Sequence, residues 1–91
     1  MQIELMGRFR RIVREYDKPT RCEIARAIDK VGESLGHPHL HSGIGIRSLK
    51  YNCFECRVGL DVRLVFRTEP GRIVFCFAGD HNAIEKFIKT L

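Results

Sequence analysis

Three short segments, Cys53–Val58, Val62–Thr68 and Arg72–Ala78, stand in a row with only Gly59-Leu60-Asp61 and Glu69-Pro70-Gly71 between them. Each is rich in Val, Phe, Ile and Cys, and the connections carry turn residues, so the row predicts an antiparallel meander. Side chains alternate across a strand, and that parity sorts the meander into two faces. Phe54, Cys56 and Val58 share one face with Glu55 and Arg57 opposite; Val62, Leu64 and Phe66 share one face with Arg63, Val65 and Arg67 opposite. If the apolar sides meet helices, Glu55, Arg57, Arg63 and Arg67 crowd the open face, three guanidiniums beside one carboxylate. Such a cluster is a compact anion site, whereas an ordinary solvated sheet face is the plainer account of strand charges.

The rest of the chain supplies the covering layer. Gln2-Ile3-Glu4-Leu5 alternates and predicts a short first strand. Phe9, Ile12, Val13 and Tyr16 fall at i, i+3, i+4, i+7 on one helical face, with Arg8, Arg10, Arg11 and Arg14 on the other. That helix should end before Pro19, which opens a second helix with Ile24, Ile28, Val31 and Leu35 inward, Ala25 and Ala27 allowing close approach, and Gly36 as its stop. Residues 37–52 fit neither period and predict an ordered loop, a common place for function. Asp80 caps a last helix with Ile84, Phe87, Ile88 and Leu91 on one face. The expected fold is α+β in the order β-α-α-β-β-β-α, a small antiparallel sheet packed on one face by a helical hairpin and a C-terminal helix. With 91 residues the chain is a single domain spanning 1–91.

Charge narrows the partners. Eleven arginines and five lysines against eleven acidic residues leave a formal charge of +5. Arginine-weighted surfaces suit planar contact with phosphate or carboxylate, so RNA, DNA or an acidic protein segment is expected. No apolar run approaches the roughly 20 residues needed to span a bilayer, and the first residues lack a secretory pattern. The chain is expected to be cytoplasmic, with no membrane partner and its four cysteines reduced.

Metal and cofactor chemistry is not expected. Cys53 and Cys56 have ligand spacing, but on a strand an odd separation sends their sulfurs to opposite faces. Cys56 and Cys22 are expected as small core residues. His37, His39 and His41 alternate within the loop without a nearby carboxylate, and His81 follows the cap Asp80 in the first turn of the last helix. A helix N-terminus disfavours imidazolium, whereas a bound phosphate favours it.

The run Phe54-Glu55-Cys56-Arg57-Val58-Gly59-Leu60-Asp61-Val62-Arg63-Leu64-Val65-Phe66-Arg67 resembles the "Y-E-x-R-V-G … Y-R-L-I-F-R" meander of the RelE/ParE toxin superfamily. Phe75-Cys76-Phe77-Ala78-Gly79-Asp80-His81-Asn82 resembles that family's "V-G-x-H-x-x" junction into its last helix, and Ile46-Arg47-Ser48-Leu49-Lys50 its "x-R-K-L-K-G" element. The resemblance covers essentially the whole chain. It implies a toxin held inactive by a cognate antitoxin, with operator DNA reached only through the toxin–antitoxin complex. It further implies a ribosome-dependent, metal-independent mRNA endoribonuclease in which a ribose 2′-OH attacks the adjacent phosphate. Carried over residue by residue, Arg63 and Arg57 are the catalytic cations and His81 is the acid. Lys50 contacts the RNA backbone, with Arg47, Arg67, His39 and His41 as further substrate contacts. The base is Glu55, His39 or His41. The tyrosine usual in the last helix is absent, with Glu85 in its place. That departure keeps two alternatives open, a ParE-like gyrase inhibitor and a catalytically inactive RelE-fold binding protein.

Overall fold

The structure is a computed structural model that describes residues 2–34 and 45–91. His37, His39, His41, Leu35 and Gly36 lie outside the described residues. The elements are β1 (Gln2–Leu5), α1 (Gly7–Arg14), α2 (Lys18–Ser34), β2 (Arg47–Ser48), β3 (Cys53–Val58), β4 (Val62–Glu69), β5 (Arg72–Gly79) and α3 (His81–Ile88). Side chains mark two helix starts, Asp80 as the sequence suggests and Asp17 in addition to it. Asp17 Oδ1 accepts from Thr20 N–H at 3.0 Å before α2, and Asp80 Oδ1 accepts from Ala83 N–H at 2.8 Å before α3.

The five strands form one sheet in the order β1-β5-β4-β3-β2. The β3–β4–β5 meander is antiparallel as expected, but the sheet is mixed, because β1 runs parallel to β5 with Gln2 opposite Arg72. A parallel pair needs a long crossover, and here everything between β1 and β5 serves as one. The two-residue β2 is a strand additional to the expected order; it pairs Arg47 with Glu55 and Ser48 with Phe54.

A second correction concerns the layers. Phe9 of α1 and Ile24, Ala27 and Val31 of α2 bury against Cys56, Val58, Val62, Leu64, Phe66, Ile73, Phe75 and Ala78. Ile84 of α3 instead buries with Cys53 and Val65, flanked by Leu49, Phe77, Phe87, Ile88 and Leu91. The last helix thus covers part of the face opposite α1 and α2. The cause is a bulge: Val65 pairs with Phe77 and Phe66 with Phe75, leaving Cys76 as the extra residue of β5. A bulge shifts parity by one. Phe75 therefore enters the first core while Phe77, two residues on, joins the second and stacks on Phe87 at 4.6 Å. Arg8 caps that stack, its guanidinium 4.9 Å from the Phe77 ring centroid, so it is not a free cation of the exposed helix face. Cys22 and Ala25 are exposed, not core: their positions on α2 lie off the Ile24–Ala27–Val31 stripe. Among the described residues no helix is long and apolar enough to cross a membrane.

Candidate active site

The half of the second sheet face that α3 leaves uncovered carries the charged residues. In the ladder, Arg57 stands opposite Arg63, and Arg63 opposite Gly79. The next row on the same face sets Arg47 opposite Glu55 and Glu55 opposite Val65. Like charges directly opposite repel, so the Arg57–Arg63 pair costs free energy unless something negative attends it. Glu55 attends only one side. Its Oε1 receives Arg63 Nη1 at 2.9 Å and Arg47 Nη2 at 2.9 Å, while Arg57 has no ion-pair partner among the described residues. The Glu55 side chain is 3% exposed, Arg63 24% and Arg47 60%. Glu55 Oε2 is buried without a hydrogen-bond partner among the described residues. Two guanidiniums share one oxygen, and Arg63 keeps about a quarter of its side chain exposed.

His81 stands where β5 passes into α3. Together with Leu60, Asp61, Arg63, Asp80 and Asn82 it lines a cleft of about 160 Å³. This brings Arg63 and His81 to one depression. The His81 ring is largely exposed, with Nε2 3.8 Å from Glu85 Oε1. Two carboxylates in the lining oppose an anion there: Asp80, which is engaged by the Ala83 amide, and Asp61.

Tyr16 is a residue that the helical periodicity hides. It packs against the first core. Burial, together with the Asp80 carboxylate, pushes its phenol above the usual tyrosine value, which ties it to the His81 end of the sheet. Its place at i+7 of an apolar stripe reads as core alone, and only the fold brings it near Asp80.

The remaining sequence-predicted residues lie apart. Arg67 is four positions from Arg63 along β4, about 13 Å, and is held by Glu69 at 2.6 Å. Glu69 also pairs with Arg72, which reaches Glu4 at 2.9 Å. Lys50 belongs to the turn before β3, where Tyr51 and Asn52 adopt φ of 53° and 60°. That turn is tied to the distal end of β4 by Thr68 N–H donating to Asn52 O. His39 and His41 fall outside the described residues. Among the described residues no three His, Cys, Asp or Glu side chains are grouped to hold a metal. Cys53 and Cys56 belong to opposite cores.

No protein-family model matches this sequence, and no curated protein matches it either. Solved structures do. A chain of the RelB–RelE antitoxin–toxin complex from Methanococcus jannaschii superposes with a TM-score of 0.69 at 16% identity, covering 92% of this chain and 96% of that one. The YoeB dimer from Staphylococcus aureus gives 0.65 at 18% identity, covering 89% of this chain and 97% of that one. The isolated RelE toxin from E. coli gives 0.61 at 15% identity, covering 99% and 98%. The fold is the RelE-like toxin fold.

Proposed function

We propose that this protein is the toxin of a toxin–antitoxin pair and that it cuts mRNA on the ribosome, in the cytoplasm, without a metal. The observation that carries the reading is the Arg57–Arg63 pair: two arginines stand opposite each other in a ladder, Arg63 anchored by Glu55 and lining the His81 cleft, Arg57 without an ion-pair partner among the described residues. In the reaction the ribose 2′-oxygen attacks the adjacent phosphorus. The 2′-O–P bond forms as the P–O5′ bond breaks, which leaves a 2′,3′-cyclic phosphate and a 5′-hydroxyl. Arg57 and Arg63 stabilise the charge on the pentacovalent phosphorus, a role worth on the order of 10²–10³ in rate per preorganised donor. His81 gives its proton to the leaving 5′-oxygen. Glu55 is too enclosed to reach a 2′-hydroxyl, so in this scheme it orients Arg63, and the proton is accepted by His39 or His41. Arg47 neighbours the reacting phosphate, and Lys50 and Arg67 hold the RNA further along its backbone.

The antitoxin partner is supported by a groove on the helical side. Leu5, Phe9, Val13, Ile24 and Ile28 line it, and Arg10, Arg14 and Arg21 stand at its rim. Apolar floor and basic rim fit an amphipathic acidic segment. Operator DNA is contacted only through that complex.

One observation favours a different reading, a gyrase-inhibiting or inactive binding protein. Phe87, the aromatic of α3, is stacked on Phe77 under Arg8 and cannot stack on a base. Primer extension on translated and untranslated copies of one transcript separates the two. Cleavage confined to the translated copy, lost in His81→Ala, supports the nuclease. Intact mRNA with a DNA-damage response in cells making the wild type sinks it.

A further inference from the structure

A second basic depression lies on the other side of the β3 edge. It is a cleft of about 250 Å³ between α2 and the β3–β4 turn, lined by Glu23, Arg26, Ala27, Lys30, Arg57, Val58 and Gly59. Strand pairing does not close this edge, because β2 pairs only with Phe54 and Glu55. Arg26 and Lys30 sit at i and i+4, hence on one face of α2. Neither they nor Arg57 form an ion pair within 4.0 Å among the described residues. The undescribed residues 35–44 contain no carboxylate that could supply one. Glu23 is the single anion of the lining; its Oε2 lies against Gly59, only 3.3 Å from where a Cβ on that residue would stand, and Gly59 has a φ of +62°. Three cations against one carboxylate leave a net charge of about +2 around the cleft.

We infer that this cleft is a second phosphate-binding site, taking a backbone phosphodiester of the nucleic-acid strand whose reacting phosphate lies at Arg57 and Arg63. Arg57 is the hinge of the inference, since it both faces Arg63 in the ladder and lines the cleft. Among the described residues, a strand crossing the β3 edge at Arg57 would run from one site to the other. The uncompensated charges on Arg26 and Lys30, useless to the fold, then become the means of holding the flanking RNA. The inference rests on the proposed nuclease reading for the identity of the strand, though not for the existence of an anion site.

The test uses the full chain and a non-cleavable 2′-O-methyl oligonucleotide, titrated across salt concentrations. Arg26→Ala/Lys30→Ala changes two exposed helix positions to the best helix former, so folding is retained. Binding by this variant should weaken about tenfold at low salt, and the salt slope should become shallower by about 0.7, the value for one single-strand phosphate. Lys86→Ala/Lys89→Ala removes the same charge from α3 and should leave the slope unchanged. A parallel titration with inorganic phosphate should move the Gly59 amide resonance in the wild type and not in the α2 variant. Equal losses in both double variants, or an unmoved Gly59 in the wild type, overturn the site. Wild-type protein that binds no oligonucleotide but still shows the phosphate response keeps an anion site and overturns its assignment to a nucleic-acid strand, whereas the nuclease reading stands or falls on the primer-extension map.

Discussion

Arg57 and Arg63 occupy opposite positions of the β3–β4 ladder, and the single buried carboxylate between strands, Glu55, is bonded to Arg63 and not to Arg57. The pair is thus held against its own repulsion by the fold. Arg57→Gln should make the unliganded protein more stable by about 0.2–1 kcal/mol, the scale of a cross-strand pair, while lowering cleavage. The gain should fade at high salt as the charges are screened. Denaturant midpoints at two ionic strengths check this, and a destabilised variant would contradict it.

Arg63→Ala should lose cleavage on the order of 10²–10³ and also cost about 1–3 kcal/mol, because the buried Glu55 carboxylate loses one of its two donors. Adding Glu55→Gln removes the stranded charge. The double variant should recover stability and stay inactive. If it recovers activity as well, Arg63 acts on the fold and not on the reaction.

Gly79 sets the distance between β5 and α3. A Cβ there would stand 2.7 Å from the Ala83 Cβ and 3.4 Å from the Phe77 ring. Gly79→Ala should therefore push the start of α3 outward, costing about 1–3 kcal/mol and displacing His81 from Arg63. Thermal melting and the cleavage assay should fall together.

The thiols should divide one against three. Cys22 is exposed, whereas Cys53, Cys56 and Cys76 are buried. Burial pushes all three buried thiols up, Cys56 to about 12, with the neighbouring Glu55 charge adding to it. A thiol reagent at pH 8 should modify one cysteine quickly and the others only on unfolding. The folded state holds the Cys56 proton more tightly than the unfolded chain, so its contribution is complete below the ordinary value of 9.0 and is lost as pH rises towards 12. Cys56→Ala should flatten that alkaline decline.

Association with the proposed antitoxin should slow with salt, since exposed charges are screened beyond about 8 Å at physiological ionic strength. Replacing Arg11 and Arg14 should reduce that dependence. Arg8 should behave differently: it lies over Phe77 and Phe87, so Arg8→Ala should cost roughly 0.5–1 kcal/mol of stability. A salt-independent rate, equal in wild type and Arg11/Arg14 variant, rules out steering through α1.

Local signals explain what the sequence made legible. Turn residues bound the meander, Asp80 caps the last helix, and parity gathers Glu55, Arg57 and Arg63 on one face. Long-range facts were hidden. The partner of Gln2–Leu5 is about 70 residues away in the ladder, and no turn links the two. The bulge at Cys76 leaves no mark on an apolar run, yet it sends Phe77 to the second face and draws α3 there. Arg67 shares parity with Arg63 but meets Glu69, two residues ahead on its own strand. Alternation alone cannot show which arginine a carboxylate will choose.

The parallel docking of β1 on β5 has a consequence for synthesis. The first strand leaves the ribosome early and waits, because its ladder partner, Arg72–Phe75, is made about 70 residues later. Pairings so distant along the chain form slowly, and here the sheet cannot be complete until β5 has been translated and has cleared the exit tunnel. The β3–β4 hairpin that carries Arg57 and Arg63 is local and can form before β1 docks on β5. Moving β1 to follow α3 through a short linker would separate timing from structure: the same sheet, closed in a different order.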